Sequence, residues 1–118
     1  MAVSKNVFPI VLDAAPVTRT NADSSNIDIT TSVTYIAQAS GGALTPTLPN
    51  GTVDGQFMSI VATDADGTNK TTITVTTPRS GHFNTILINN TNEGVNLVWH
   101  PDGWMIVNAL GGVTLSTV

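Results

Sequence analysis

From Ile27 onward the chain alternates with a period of two. Ile27, Ile29, Thr31, Val33 and Tyr35 fall on one face, and Asp28, Thr30, Ser32 and Thr34 on the other, the pattern of a half-buried strand. Residues 56–63 and 70–77 read as two more strands, joined by Asp64-Ala65-Asp66-Gly67-Thr68-Asn69 as a hairpin loop. Strands over 83–89, 95–99, 104–109 and 113–118 complete the series. Their separators are Asn90-Thr91-Asn92-Glu93-Gly94, His100-Pro101-Asp102-Gly103 and Gly111-Gly112. The second of these fits a type I turn, with Pro in its second position and Gly in its fourth. Short strands at this spacing predict an all-β fold, a small antiparallel β-sandwich or jelly-roll-like domain.

The first 25 residues have another pattern. Val7-Phe8-Pro9-Ile10-Val11-Leu12 is apolar but interrupted by Pro9, and Pro16 comes soon after. Proline has no N–H for a ladder, so this segment reads as an extended arm or an edge strand. Residues 18–26 are polar and aperiodic, like a linker. The chain therefore divides into an N-terminal arm and linker, 1–25, and a β domain, 26–118. An apolar hexamer favours an arm that docks on a partner over a solvated tail, which makes Val7, Phe8, Ile10, Val11 and Leu12 candidate contact residues.

Composition supports the β reading and narrows the function. Only 10% of the 118 residues are charged, where a soluble domain carries about 25%. Threonine, valine and isoleucine number 19, 13 and 9, and their stiff χ1 angles suit a pleated surface better than a helix. Cysteine is absent, which excludes disulfide scaffolds, thiolate metal sites and Cys nucleophiles. The four basic residues, Lys5, Arg19, Lys70 and Arg79, leave a net charge of −4. That balance argues against nucleic acid and against an anionic membrane surface as partners. No apolar run approaches membrane-spanning length, and the start of the sequence lacks the order of a signal peptide.

Candidate chemistry is sparse. Asp64, Asp66 and Gly67 resemble the start of a calcium loop, but the twelfth position holds Val75 where a bidentate Glu is needed. His82 and His100 have no paired ligand spacing, and no G-x-S-x-G elbow is present. Gly67-Thr68-Asn69-Lys70-Thr71 lacks the first glycine of a phosphate loop. These residues predict no catalytic, cofactor-binding or metal site. Trp99 and Trp104 stand out instead. A four-residue separation puts them opposite each other at a hairpin end, with Val95, Leu97 and Ile106 on their face. Val98, Met105, Val107 and Ala109 line the reverse face, so both sides of the hairpin are apolar. A sandwich covers only one of them with its own core, which makes Val98, Met105 and Val107 candidates for a subunit interface. The tryptophans themselves fit a core, an interface or a platform for sugar rings.

Two stretches carry a family resemblance. Thr47-Leu48-Pro49-Asn50-Gly51-Thr52-Val53-Asp54-Gly55-Gln56 and the hairpin from Val95 to Val107, with Trp99, Gly103 and Trp104, are similar to modules of tailed-phage structural proteins. The likeness spans about residues 45–112. With the chain's size and its apolar arm, the sequence looks most like a capsid decoration, or cement, protein. The resemblance implies a homotrimer on the outer capsid surface of a virion assembled in the host cytoplasm. It implies the major capsid protein as partner, no cofactor and no catalytic residue. A receptor- or carbohydrate-binding domain of a phage tail fibre or baseplate is the alternative.

Overall fold

The computed structural model describes residues 15–20, 23–38, 42–79 and 83–117, the side chain of Asn69 excepted. The arm residues Val7, Phe8, Ile10, Val11 and Leu12, as well as His82, lie outside them. The fold is all-β, with eight strands: β1 Val17–Thr20, β2 Val33–Gln38, β3 Thr47–Leu48, β4 Phe57–Val75, β5 Thr85–Asn90, β6 Gly94–His100, β7 Gly103–Leu110 and β8 Thr114–Ser116. The first half of β4 belongs to a sheet ordered β1-β2-β4-β6-β7. Its second half belongs to another, ordered β3-β4-β5-β8. The expected antiparallel pairing holds from β5 onward. However, β1 on β2, β2 on β4 and β3 on β4 are parallel, so the sheet is mixed.

The expected hairpin at 64–69 is absent; both predicted strands are one 19-residue strand. Gly67 does take a left-handed φ of 74°, but the excess residues bulge between the Asp66–Asn90 and Thr71–Ile88 pairs. Side chains satisfy the backbone that the bulge unpairs. Asp66 Oδ1 accepts from Thr68 N at 2.8 Å, Thr91 Oγ1 accepts from Ala65 N at 3.0 Å, and Asn89 Nδ2 donates to Gly67 O at 3.0 Å. With these groups paired, the chain continues forward.

A second departure inverts the face read for the first long strand. Asp28 Oδ1 accepts from Thr30 N at 2.9 Å and from its hydroxyl at 2.6 Å. This local turn competes with the sheet ladder, and β2 starts only at Val33. Thr34, Ile36 and Gln38 are buried, while Val33 and Tyr35 are only half-covered. Residues 17–20, read as part of an arm and linker, form a strand of the sheet. Its Arg19 is buried and binds Asp23 (2.8 Å), Ser25 Oγ (2.5 Å) and the carbonyl of Asn26. Hydrogen bonds from the Ser25 hydroxyl and N–H, then from Arg19, lower the Asp23 carboxyl to about 2.

One core lies between the two sheets. Ile36, Met58, Ile60, Leu97 and Trp104 face Ile73, Val75, Ile86 and Ile88, with Ile27, Leu44 and Leu48 closing the ends. A buried polar link joins the layers, since Thr71 Oγ1 donates to Gln38 Oε1 at 2.8 Å and Gln38 Nε2 to Gly42 O at 2.6 Å. Replacing Gln38 with alanine removes the acceptor of the fully buried Thr71 hydroxyl, so the expected loss is about 1–3 kcal/mol. Urea unfolding monitored by tryptophan fluorescence measures it; an unchanged midpoint would show that the link is not stabilising.

Candidate interaction surface

The tryptophan hairpin forms in the expected register. Trp99 pairs with Trp104 and His100 with Gly103 across the Pro101-Asp102 turn. The rings meet edge to face, with centroids 5.4 Å apart and planes at 66°, an arrangement the ring quadrupoles favour. Trp104 is fully buried and Trp99 is 8% exposed. Both therefore belong to the core, and neither offers a face to a sugar.

The loop that carries the first half of the resemblance packs on this hairpin. Trp104 Nε1 donates to Pro49 O at 2.8 Å. A Cβ on Gly51 would stand 2.4 Å from Trp99 Cγ, so only glycine lets the backbone pass under the ring. Gly55 N donates to Trp99 O and Trp99 N to Gln56 O, each at 2.8 Å. The Gln56 side chain holds the loop from within, accepting from Thr52 N at 2.7 Å and donating to Ile29 O at 2.8 Å. The two stretches singled out in the sequence are thus one packed unit.

The reverse face of the five-stranded sheet is different. Strand pairing arranges it in three rows: Val33, Ser59, Asn96 and Asn108; Thr18, Tyr35, Val61, Gly94 and Leu110; Phe57, Val98 and Met105. Gly94 is buried, Thr18, Asn108 and Leu110 are exposed, and the other residues of the rows are half-buried. Asn96 and Asn108 bond each other at 2.7 Å across β6 and β7, at one edge of the sheet. Among the described residues, acidic and basic side chains stand only at the ends of this face. Asp64 lies beside Ala37 at one end; His100 and Arg79 lie at the other, where Arg79 reaches Met105 Sδ at 3.6 Å. Two of the three interface candidates, Val98 and Met105, are on this face.

Val107 does not join them in the expected way. The register of β6 and β7 shifts between Asn96 and Leu97, leaving Val107 unpaired in a bulge and 61% exposed. The extra residue rotates the rest of the strand. Ala109, expected beside Val107 on the reverse face, instead pairs with core-facing Val95, and Leu110 turns to the outer face beside Gly94. Alternation alone carries no sign of such a bulge.

One buried acid has no signal in the sequence pattern. Glu93, the only glutamate, is 4% exposed at the turn between β5 and β6. Burial opposes its charge, but hydrogen bonds from the Asn89 N–H, the Asn90 side chain and N–H, and the Gly112 N–H outweigh it and hold the carboxyl below its usual value. Glu93 thereby ties the β5–β6 turn to the Gly111-Gly112 turn after β7. Among the described residues, no group of three His, Cys, Asp or Glu is placed to hold a metal, and no helix is long and apolar enough to cross a membrane. No family model and no curated protein matches the chain.

This geometry sets two expected outcomes. Trp104→Ala should cost about 3–5 kcal/mol, as expected for an aromatic removed from a packed core, whereas Val107→Asp on the surface should stay within about 0.5 kcal/mol. Chemical denaturation of both variants reads the contrast, and equal losses would contradict it. Because the Glu93 carboxyl is lowered on folding, its contribution is complete above the ordinary value of about 4.5 and is lost as pH falls through the folded one. Between pH 7 and pH 3 the wild type should therefore lose more thermal stability than Glu93→Gln. Asp23 and Asp28 titrate in both proteins, so the difference isolates Glu93, and parallel losses would remove its role.

Proposed function

We propose that this protein is a non-enzymatic structural module of a tailed-phage virion, a decoration protein that binds the outer capsid surface as a homotrimer. The observation that carries the reading is the outer face of the five-stranded sheet: its Val33, Tyr35, Phe57, Val61, Val98 and Met105 form an apolar patch beside the polar Thr18, Ser59, Asn96 and Asn108, with charge only at its ends among the described residues. Large uncovered apolar faces mark surfaces that bind other proteins. The packing of the Leu48-Pro49-Asn50-Gly51 loop on the tryptophan hairpin adds weight, because it makes the phage-like segments one structural unit.

The mechanism is mechanical. Each copy buries apolar area against its neighbours and across junctions of the major capsid protein, where it resists separation of the capsomers. A modest affinity per contact suffices, because a trimer engages several sites at once and the later contacts form at high effective concentration. Backbone rigidity matters more here than catalytic geometry, and two sheets sharing β4, with side-chain-filled turns, supply it.

Light scattering should return three times the 12.3 kDa chain mass at micromolar concentration, and Val98→Asp should reduce it to the monomer with tryptophan fluorescence unchanged. Co-sedimentation with purified capsids should then give saturable, stoichiometric occupancy at many copies per shell. A wild-type monomer would remove the trimer, and absence from capsids would remove the virion assignment.

A further inference from the structure

The core is open along one side. Ala109 on β7 pairs with buried Val95, and Leu115 on β8 pairs with buried Ile86, so both occupy rows that face the core. Yet Ala109 is exposed and Leu115 is 38% exposed. Between them Ile106 and Val113 are only partly covered against the cluster. Strand β7 ends one sheet and β8 the other. Pro78 bridges β7 at Trp104, so among the described residues its edge is unpaired from Met105 onward, and the Gly111-Gly112 turn connects the two strands directly. The sequence of β7, Gly-Trp-Met-Ile-Val-Asn-Ala-Leu, contains no charge and no proline, the usual guards of a free edge. This seam has the shape of a missing strand.

We propose that the seam is filled by residues 7–12 of a second copy of this chain, added as a strand along β7. The inference rests on the reading that copies of the protein assemble with one another. Val7-Phe8-Pro9-Ile10-Val11-Leu12 is bracketed by the charged residues Lys5 and Asp13, and in an extended conformation Phe8, Ile10 and Leu12 share one face. Those three side chains supply the apolar cover that Ile106, Ala109, Val113 and Leu115 lack. With residues 8, 10 and 12 bonded to β7, the backbone of Pro9 points away from the ladder. Its missing N–H then blocks any further strand, so the addition stops at one.

Reach decides which copy donates. Val17, Thr34, Ile60, Val95 and Ala109 form one row across the sheet, which puts β1 four strand spacings, about 19 Å, from β7. Ala15 is tied at the foot of β1, where its carbonyl accepts from Thr31 Oγ1 at 3.0 Å. The three residues from Ala15 back to Leu12 span at most about 10 Å. The segment therefore falls short of its own seam and meets that of a neighbour. Such a contact is head-to-tail, and it gives a closed ring, as the proposed trimer requires, only where the rotation between successive copies closes.

The cysteine-free sequence allows a direct test. Four single-cysteine variants of the full chain, Ile10→Cys, Val11→Cys, Val107→Cys and Ala109→Cys, are mixed pairwise, one arm variant with one β7 variant, and oxidised. A mixed disulfide between an arm variant and a β7 variant is the expected result. If none of the four pairs cross-links while light scattering still reports an oligomer, strand addition is overturned and assembly through another face stands. Cross-linking confined to β7 variants with themselves overturns it in favour of edge-to-edge pairing. A wild-type monomer ends both this inference and the proposed trimer. Independently, Ala109→Asp should weaken self-association by about tenfold or more through a charge at the seam while leaving the melting temperature unchanged, and unaltered association would count against the seam.

Discussion

Strand β4 is the constraint on which the structure depends. A single backbone supplies the middle of both sheets, so the two layers cannot slide or separate without breaking pairs on both sides of the same strand. Its inward positions run from Met58, Ile60 and Ala62 in the first sheet to Thr71, Ile73 and Val75 in the second. Between them the Asp66–Thr71 bulge changes the register, and with it the sheet to which the strand belongs. The Thr71–Gln38 hydrogen bond stands near this transition, one partner in each sheet. A buried polar pair is costly unless satisfied, and here the satisfied pair fixes how the sheets align.

The chemistry that looks most functional in the sequence proves to be architectural. Two tryptophans facing each other at a hairpin tip suit a ligand platform as well as a core, and the hairpin alone does not decide between them. The neighbouring backbone decides. Gly51 fits against the Trp99 ring, and Pro49 presents its carbonyl to the Trp104 indole. Gly103, at a φ of 134°, lets residues 77–79 cross where a Cβ would otherwise stand. Covered on these sides, the rings are withdrawn from ligands and serve to hold three chain segments together.

The legible and the hidden parts of the fold divide along one physical line, the distance in sequence between interacting groups. Period-two runs from residue 83 onward lie within about two residues of β5 to β8, because short turns with Gly, Asn or Pro delimit them, although β8 pairs with the distant β5. The expected hairpin at 64–69 fails because Asp-Gly supports positive φ in a bulge as readily as in a turn. The deciding groups, Asn89 and Thr91, are over 20 residues away. Likewise Asp28 consumes residues in a local turn and reverses the face of β2, and one extra residue at Val107 reassigns Ala109 and Leu110. Parallel pairing of β1 and β3 leaves no local trace, since their partners are distant in the chain. Glu93 is legible only as the one glutamate in the sequence; its four donors come from two separate turns.

The surface that results is informative through its lack of charge. As the contact surface proposed above, an outer face such as Val33, Tyr35, Phe57, Val61, Val98 and Met105 gives affinity without direction, because apolar burial is not orientational, and charged groups, which ordinarily fix register and exclude wrong partners, stand only at its ends among the described residues. In an assembly built on this face, orientation must therefore come from elsewhere. The backbone is the remaining source: an unpaired strand edge accepts a partner strand only along its own direction and in discrete registers. The bulge at Val107 sharpens this choice, since it interrupts the β6–β7 ladder at one point and divides β7 into two stretches of different phase. In the proposed assembly, apolar face and strand edge are thus complementary, the first supplying the driving force and the second the geometry.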